Sequence, residues 1–235
     1  MTKLRRRRML AVLGSLIVFG VLLVSSPDMW QQAAPDNDDI HGAQTMAGGA
    51  VEALETLEVK GRASKTGYSR TQFGSGWTSV TGCDTRNTIL YRDMIDVKTD
   101  EACRVMSGTL YDPYTGETIS FVRGAETSQL VQIDHVVALS NAWQTGAQGL
   151  AEDDRIALAN DPLNLLAVDG AANQQKSDGD AATWLPSNKP FRCQYVARQI
   201  AVKQKYHLWV TPAEKQAITR ILSVCPGQML PAEIK

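Results

Sequence analysis

Asp134 and His135 stand side by side in the stretch QIDHVVALSNAW, in a chain that has only three histidines. Because neighbouring residues of a strand point to opposite faces, the two side chains cannot both enter one core. Asn164 opens the apolar run NLLAV, and Asn173 follows nine residues later, which leaves room for a strand, a turn and the start of a helix. Such a strand–strand–helix unit can gather Asp134, His135 and Asn173 around one small volume.

These residue types support a particular chemistry. Carboxylate and amide oxygens suit a hard cation such as Mg²⁺, Mn²⁺ or Ca²⁺. A neutral histidine beside the cation suits proton abstraction from water. The combination predicts phosphodiester hydrolysis, in which a metal neutralises phosphate charge while a base generates hydroxide. The structural alternatives are that Asp134 and His135 form a plain hydrogen-bonded pair and that Asn164 is a turn residue after Pro162.

The elements that must position these residues are short. DTRNTILYRDMIDV (84–97) predicts a helix, and GTLYDPYTGETISFV (108–122) predicts a β-hairpin whose turn is DPYTG. Near the end, Thr211 as N-cap, Pro212 at N1 and Glu214 at N3 form a capping box that begins a helix. We therefore expect an α+β fold, a mostly helical single domain with short antiparallel strands.

The amino terminus has the pattern of an export signal. KLRRRR (3–8) is followed by an uncharged apolar run at 9–24, which at 16 residues is slightly shorter than the about 20 that span a bilayer. We assign 1–26 to a signal peptide or N-terminal signal anchor, 27–50 to a flexible linker and 51–229 to the folded domain. The protein is expected to be secreted, or else anchored by an uncleaved leader to the outer face of the cytoplasmic membrane.

The charge balance limits how the protein can bind a polyanion. Residues 1–26 hold five of the 24 basic residues and none of the 25 acidic ones, so the remainder is slightly acidic. It lacks the basic balance of a protein that coats nucleic acid. A polyanion would need a local cluster, and the stretch 60–77 offers either such a groove or an ordered surface loop, with basic residues set among aromatic ones: Lys60, Arg62, Lys65, Arg70, Tyr68, Phe73 and Trp77.

The chain has four cysteines, which in an exported protein indicate two disulfides. Zinc sites use closely spaced pairs such as CxxC, and this sequence has none. Three connectivities are open. We favour the pairing of nearest neighbours, Cys83–Cys103 and Cys193–Cys225.

Several short motifs of the sequence resemble those of a known family. IDHVVALSNAW, NDPLNLLAVDGAANQQKSDGD and TWLP, with GYSRTQFGSGW and GCDTRN upstream, are similar to the small exported HNH endonuclease family proteins of bacteria. These belong to the HNH, ββα-metal or His-Me finger nuclease superfamily. The resemblance covers roughly residues 55–226. It implies an embedded ββα-metal motif and a metal-dependent endonuclease.

The resemblance also implies a role for each residue of the motif. His135 is the general base, and Asp134 and Asn173 are ligands of a single divalent metal. The side-chain amide of Asn164 holds the facing loop and so orients His135, because a displaced base loses rate steeply. Lys176 contacts phosphate. Where the superfamily's name has histidine first and last, this chain has Asp134 and Asn173, which shifts the expected metal from zinc to Mg²⁺ or Mn²⁺.

The resemblance further places GCDTRN, which contains Arg86, close to the site, and we assign Arg86 and Arg92 to phosphate or substrate binding. The alternative is that these helical arginines are solvated. DNA is favoured over RNA as the partner, without strong sequence preference, because no base-reading module is evident. One alternative is a ribonuclease or oligonucleotide-degrading nuclease on the same site. Another is a catalytically silent cell-envelope binding protein that keeps the fold. The sequence identifies no protein partner.

Overall fold

Short helices and strands alternate through the part of the chain that the computed structural model describes, residues 46–80, 82–125 and 127–231. The strands are β1 (Met46–Gly49), β2 (Ser79–Val80), β3 (Cys83–Asp84), β4 (Met94–Thr99), β5 (Val105–Tyr111), β6 (Thr118–Val122), β7 (Val131–His135), β8 (Leu165–Asp169) and β9 (Met229–Pro231). The α-helices are α1 (Ala50–Thr56), α2 (Thr85–Asp93), α3 (Leu139–Gln144), α4 (Glu152–Asn160), α5 (Gly170–Lys176), α6 (Arg192–Lys205) and α7 (Pro212–Leu222). The predicted single-domain α+β class is confirmed.

The strands of the described residues form four small antiparallel sheets. β4, β5 and β6 make a three-stranded sheet, and its β5–β6 pair is the predicted hairpin around DPYTG. The other three sheets are the pairs β1–β9, β2–β3 and β7–β8. The predicted capping box at the start of α7 is confirmed, because Glu214 N donates to Thr211 Oγ1 and Thr211 N donates to a Glu214 carboxylate oxygen.

One strand–strand–helix unit carries the residues of interest. β7 pairs with β8 so that Asp134 lies opposite Leu166 and His135 opposite Leu165. Helix α5 begins directly after β8, at a junction that needs glycine. A Cβ on Gly170 would lie 2.1 Å from the carbonyl oxygen of Gln129. The arrangement that the spacing predicted is therefore present, and the metal assigned to it stays a prediction.

Two apolar cores fix this unit from opposite sides. The larger core contains Leu166 and Val168 of β8 together with Tyr195 of α6. The second core contains Leu165 and Ala167 of β8 with apolar residues of α2, β5 and β6. Because alternate residues of β8 enter different cores, the strand is packed on both faces. Such packing makes it a rigid support for a site.

Two predicted boundaries were wrong. The helix expected over 84–97 ends at Asp93, because the chain then enters β4 and Met94 pairs with Leu110 of the hairpin. The stretch 46–49, assigned to the linker, forms β1 and pairs with β9 at the other end of the chain. In both cases a distant strand supplies backbone partners, which local sequence patterns do not reveal.

Both predicted disulfides are confirmed. Cys83–Cys103 joins the strand before α2 to the turn between β4 and β5, with the Cα atoms 5.5 Å apart. Cys193–Cys225 joins the first turn of α6 to the segment after α7, with the Cα atoms 6.5 Å apart. The two crosslinks therefore brace separate parts of the domain.

The predicted leader (1–26) and most of the predicted linker lie outside the described residues. Among the helices of residues 46–80, 82–125 and 127–231, none combines the length and the apolar character needed to cross a bilayer.

Candidate active site

Asn164 ties the chain that leaves His135 to neighbouring backbone. Its side chain is fully buried. Val137 N donates to Asn164 Oδ1 at 2.8 Å, and Val136 N donates to the Asn164 carbonyl oxygen at 2.8 Å. Asn164 Nδ2 in turn lies 3.4 Å from Val137 O and 3.3 Å from Leu158 O. This is the placement that the resemblance implied, and its contribution to activity stays a prediction.

His135 is held in one tautomer. The residue is 6% exposed, and Nε2 lies 2.9 Å from the carbonyl oxygen of Ala159. Because a carbonyl can only accept, Nε2 must carry the hydrogen and Nδ1 keeps the lone pair. Trp77 stacks on the ring with centroids 5.7 Å apart and planes within 14°. Nδ1 is therefore the nitrogen that can take a proton.

Burial keeps His135 uncharged. It lowers the pKa of the imidazole from 6.5 to about 3, against the opposing effect of the hydrogen bond to Ala159. The charges of Arg70 and Lys176 lower that pKa further. At neutral pH the ring is therefore a base with an available lone pair.

Asp134 is buried in a polar cluster beneath the strand. Lys176 Nζ lies 3.0 Å from each carboxylate oxygen and donates to His135 O at 2.8 Å. Tyr114 Oη donates to Asp134 Oδ2 at 2.5 Å. Burial raises the pKa of Asp134, and the Lys176 charge and the Tyr114 hydrogen bond act against that rise. Lys176 thus holds both the carboxylate of residue 134 and the backbone of residue 135.

An open polar cleft of about 540 Å³ runs past these residues. Its lining includes Asp134, His135, Asn173 and Arg70. Asn173 is half-buried, and its Nδ2 donates to Gln132 Oε1 at 2.9 Å, which leaves the Asn173 amide oxygen as an acceptor. The predicted base His135 and the predicted ligands Asp134 and Asn173 therefore line one cleft, together with Arg70.

The donor set fits a hard divalent cation. A carboxylate has about four lone-pair positions, and the contacts from Lys176 and Tyr114 leave at least one on Asp134. Asn173 adds a neutral amide oxygen. The described residues contain no cluster of three or more His, Cys, Asp or Glu side chains placed to hold a metal. Mg²⁺ does not require one, because it keeps several waters and uses one or two carboxylates plus substrate phosphate.

The comparisons with known proteins point to an endonuclease family. Residues 84–221 match the family described as GmrSD restriction endonucleases, C-terminal domain. The chain belongs to this family. It is also 39% identical over 179 residues to an uncharacterized secreted protein of Arthroderma benhamiae, across 75% of this chain and 84% of that protein. No solved structure matches the chain.

The GmrSD match contains all the site residues of β7, β8 and α5, from Asp134 to Lys176. It supports a nuclease-type function for the chain. The similar protein is fungal, so these comparisons do not tie the chain to the bacterial proteins that the resemblance named. Membership of the HNH superfamily stays a prediction.

Three residues expected at the substrate are engaged elsewhere. Arg86 Nη2 donates to Val131 O at 3.1 Å, and Arg92 donates to Pro162 O at 2.8 Å and Leu165 O at 2.7 Å. These guanidinium groups satisfy backbone carbonyls at the ends of β7 and β8. Lys176 is 2% exposed and does not line the cleft. All three therefore support the strands of the GmrSD domain, which disagrees with direct contact to phosphate.

Arg70 is a cation of the cleft that was not predicted as a site residue. It is exposed, lines the cleft and lies close enough to His135 to lower the pKa of that ring. Among the described residues, no hydrogen bond or ion pair of its side chain is present. Lys65, which also lines the cleft, is paired with Asp178 at 3.1 Å. The only available signal was the mixture of basic and aromatic residues in 60–77.

Proposed function

We propose that the cleft hydrolyses phosphodiester bonds of nucleic acid, with His135 as the general base. The observation that carries the proposal is His135 itself: a buried, neutral imidazole fixed in one tautomer at the edge of a polar cleft. The GmrSD restriction endonuclease match supports the same chemistry.

Four residues act in the proposed mechanism. His135 Nδ1 accepts a proton from the attacking water while the Ala159 carbonyl holds Nε2–H. The water oxygen bonds to phosphorus as one P–O ester bond breaks, and the departing oxygen takes a proton from solvent. Arg70 binds a non-bridging phosphate oxygen and offsets its charge, as a guanidinium does well. Asn164 and Lys176 hold the backbone around His135 and so fix the angle of the ring.

A divalent metal completes the proposal. Asp134 and Asn173 would hold the ion, with Mg²⁺ or Mn²⁺ preferred because the donors are hard oxygens. When bound, the metal would neutralise charge on the phosphate and lower the pKa of a coordinated water. Asp134 remains paired with Lys176, which keeps the carboxylate in place.

DNA is the proposed substrate, with RNA as the second candidate. The family described as restriction endonucleases favours DNA. The near-neutral balance of the folded part predicts weak binding with a shallow dependence on salt, since the few local cations such as Arg70 that contact the polyanion release few counterions. A catalytically silent binding protein would keep the cleft without turnover, so a cleavage assay separates these alternatives.

Asn173→Ala is expected to lower the rate of plasmid nicking, and a higher metal concentration should restore that rate. Loss of one neutral oxygen should raise the metal concentration at half-maximal activity by about 10- to 100-fold, the range for changes around metal sites. The assay is supercoiled-plasmid nicking across Mg²⁺ and Mn²⁺ titrations, with structured and single-stranded RNA in parallel. Gln204→Ala, exposed on α6, is the control.

Two outcomes of this assay would contradict the proposal. Nicking that continues unchanged in excess chelator would remove the metal from it. No cleavage of DNA or RNA by the wild-type protein at any metal concentration would favour the silent binding protein instead.

We also propose that the protein is exported, on the strength of the basic and apolar leader and of a relative named as secreted. Residues 1–50 fused to a reporter that is active only outside the cytoplasm should give activity. Residues 27–50 alone should give none. Fractionation of the fusion then separates release from anchoring, and reporter confined to the cytoplasm would refute export.

A further inference from the structure

A second cavity adjoins the polar cleft at His135. It has a volume of about 240 Å³ and shares Arg70, His135 and Leu139 with the polar cleft. Phe73, Trp77 and Ala159 supply much of the remaining wall. The two spaces therefore meet at the proposed base and at the proposed phosphate-binding arginine.

The character of this cavity differs from that of the cleft. The cleft is lined by amides, hydroxyls and charged groups, whereas the cavity is lined mainly by aromatic, aliphatic and glycine residues, and Arg70 is its only permanently charged one. An apolar cavity does not solvate a phosphate, but it accepts the flat face of a ring. At about 240 Å³ it falls below the roughly 300 to 1,000 Å³ of pockets for whole drug-sized ligands. It therefore suits one ring system rather than a nucleotide.

The aromatic wall has a suitable orientation. Trp77 is half-buried, and its indole lies almost parallel to the His135 ring, at 14°. The chain reaches Trp77 through Gly74 and Gly76, both at positive φ, at +95° and +144°. Backbone in that region favours glycine, so this short loop is built to present the indole beside the base. A planar ring that enters the cavity can extend the existing stack.

We propose that this cavity, bounded by Phe73, Trp77 and Leu139, binds the nucleobase next to the scissile phosphate. The inference rests on the proposed function, because it takes the occupant to be part of a nucleic acid held in the adjoining cleft. Arg70 at the junction would bind the phosphate while the attached base stacks against Trp77. Every base has a π-face, so stacking of this kind tolerates any sequence.

A base-binding cavity should make the site prefer unpaired nucleic acid. A base in this cavity must be out of its helical stack, and the free energy needed to leave the stack is smaller for an unpaired base than for a paired one. Single-stranded segments, loops and mismatched positions should therefore be cleaved faster than continuous duplex.

The experiment compares two oligonucleotides that differ only in one base. One is a fluorescent single-stranded DNA, and the other has an abasic residue at the nucleotide adjoining the mapped cleavage position. Wild-type protein should cleave the abasic strand with a kcat/KM about 10- to 100-fold lower, the effect of one stacked base. In Trp77→Leu the two strands should be cleaved alike, and Trp77→Phe should restore part of the difference.

A purely structural role for Trp77 gives another result. If the indole only supports His135, Trp77→Leu slows both strands equally and the ratio between them stays at its wild-type value. That outcome, or a wild-type ratio near one, overturns the proposal. Tyr91→Leu, which removes an exposed aromatic on α2 that lines neither cavity, should leave the ratio unchanged.

Binding separates this inference from the proposed hydrolysis. Fluorescence anisotropy in chelator, without turnover, uses a series of strands with one abasic residue at each position in turn. At least one position should weaken binding in the wild type and not in Trp77→Leu. If such base-dependent binding is found but no strand is ever cut, the nuclease proposal fails and the base subsite stands. If strands are cut with no base dependence in binding or rate, the subsite fails alone.

Discussion

Replacing His135 with alanine is expected to lower kcat for plasmid nicking by about 10² to 10⁴, at every metal concentration. The substitution removes the imidazole, which is the only histidine ring in the described cleft and whose Nδ1 lone pair can accept the proton. Added Mg²⁺ cannot restore a missing proton acceptor, so the loss should persist where Asn173→Ala recovers. The measurement is multiple-turnover nicking at saturating DNA across a metal titration.

His207→Asn is the matched control. His207 is exposed at the end of α6 and lies on neither cavity, and asparagine tolerates its positive φ of 52°. The control should keep wild-type kcat. Wild-type turnover in His135→Ala would refute the mechanism and would make Asp134 and His135 a structural pair.

The pH profiles give a second test of His135. In the free protein its pKa is lowered to about 3 by burial, so the imidazole is neutral above that value. Titration of His135 should therefore leave kcat/KM unchanged above about pH 5 and should lower it only as the pH approaches 3. Bound phosphate places negative charge near the ring and stabilises imidazolium, so the inflection in kcat should lie at higher pH than that in kcat/KM. A kcat/KM inflection near 6.5 would show that the ring is solvated.

The strand–strand–helix unit was predictable because its determinants are local. An apolar run ends at Asp134 and His135, a second begins after Asn164, and the short interval to Asn173 admits a strand and a helix start. Asn164 is informative for the same reason. A fully buried amide in a connection must find backbone partners, and the turn between the strands is the backbone within reach.

The orientation of the cations was not predictable. Lys176 lies three residues after Asn173, but that spacing does not say which face of α5 meets the core. Arg86 and Arg92 donate to backbone carbonyls at or near the first residues of β7 and β8, which come within reach only once those strands are placed. Arg70 and Trp77 lie in a segment without periodicity, so only the folded chain brings them to His135.

The pairing of Lys176 with Asp134 suggests that positioning and stability share one contact. The ammonium and the carboxylate are both almost fully buried, and the same ammonium holds the His135 carbonyl. Removing one member of a buried pair leaves the other charged and desolvated. Lys203 and Glu214 form a second buried pair between α6 and α7, but it lies on neither cavity. Of these two buried pairs, the Lys176 pair is the one that couples folding to the proposed active site.

Lys176→Met is expected to lower the free energy of unfolding by about 3 to 5 kcal/mol, measured by urea denaturation at pH 8. Lys65→Met is the matched control, because Lys65 also pairs with an aspartate, Asp178, but both partners are exposed, and such a pair contributes about 0 to 1 kcal/mol. The deficit of Lys176→Met should narrow toward pH 4. Without the ammonium, burial raises the folded-state pKa of Asp134 further above its unfolded value, so protonation at low pH removes the unpaired charge. An equal effect in the two variants, or a deficit that widens on acidification, would mean that Lys176 does not neutralise Asp134.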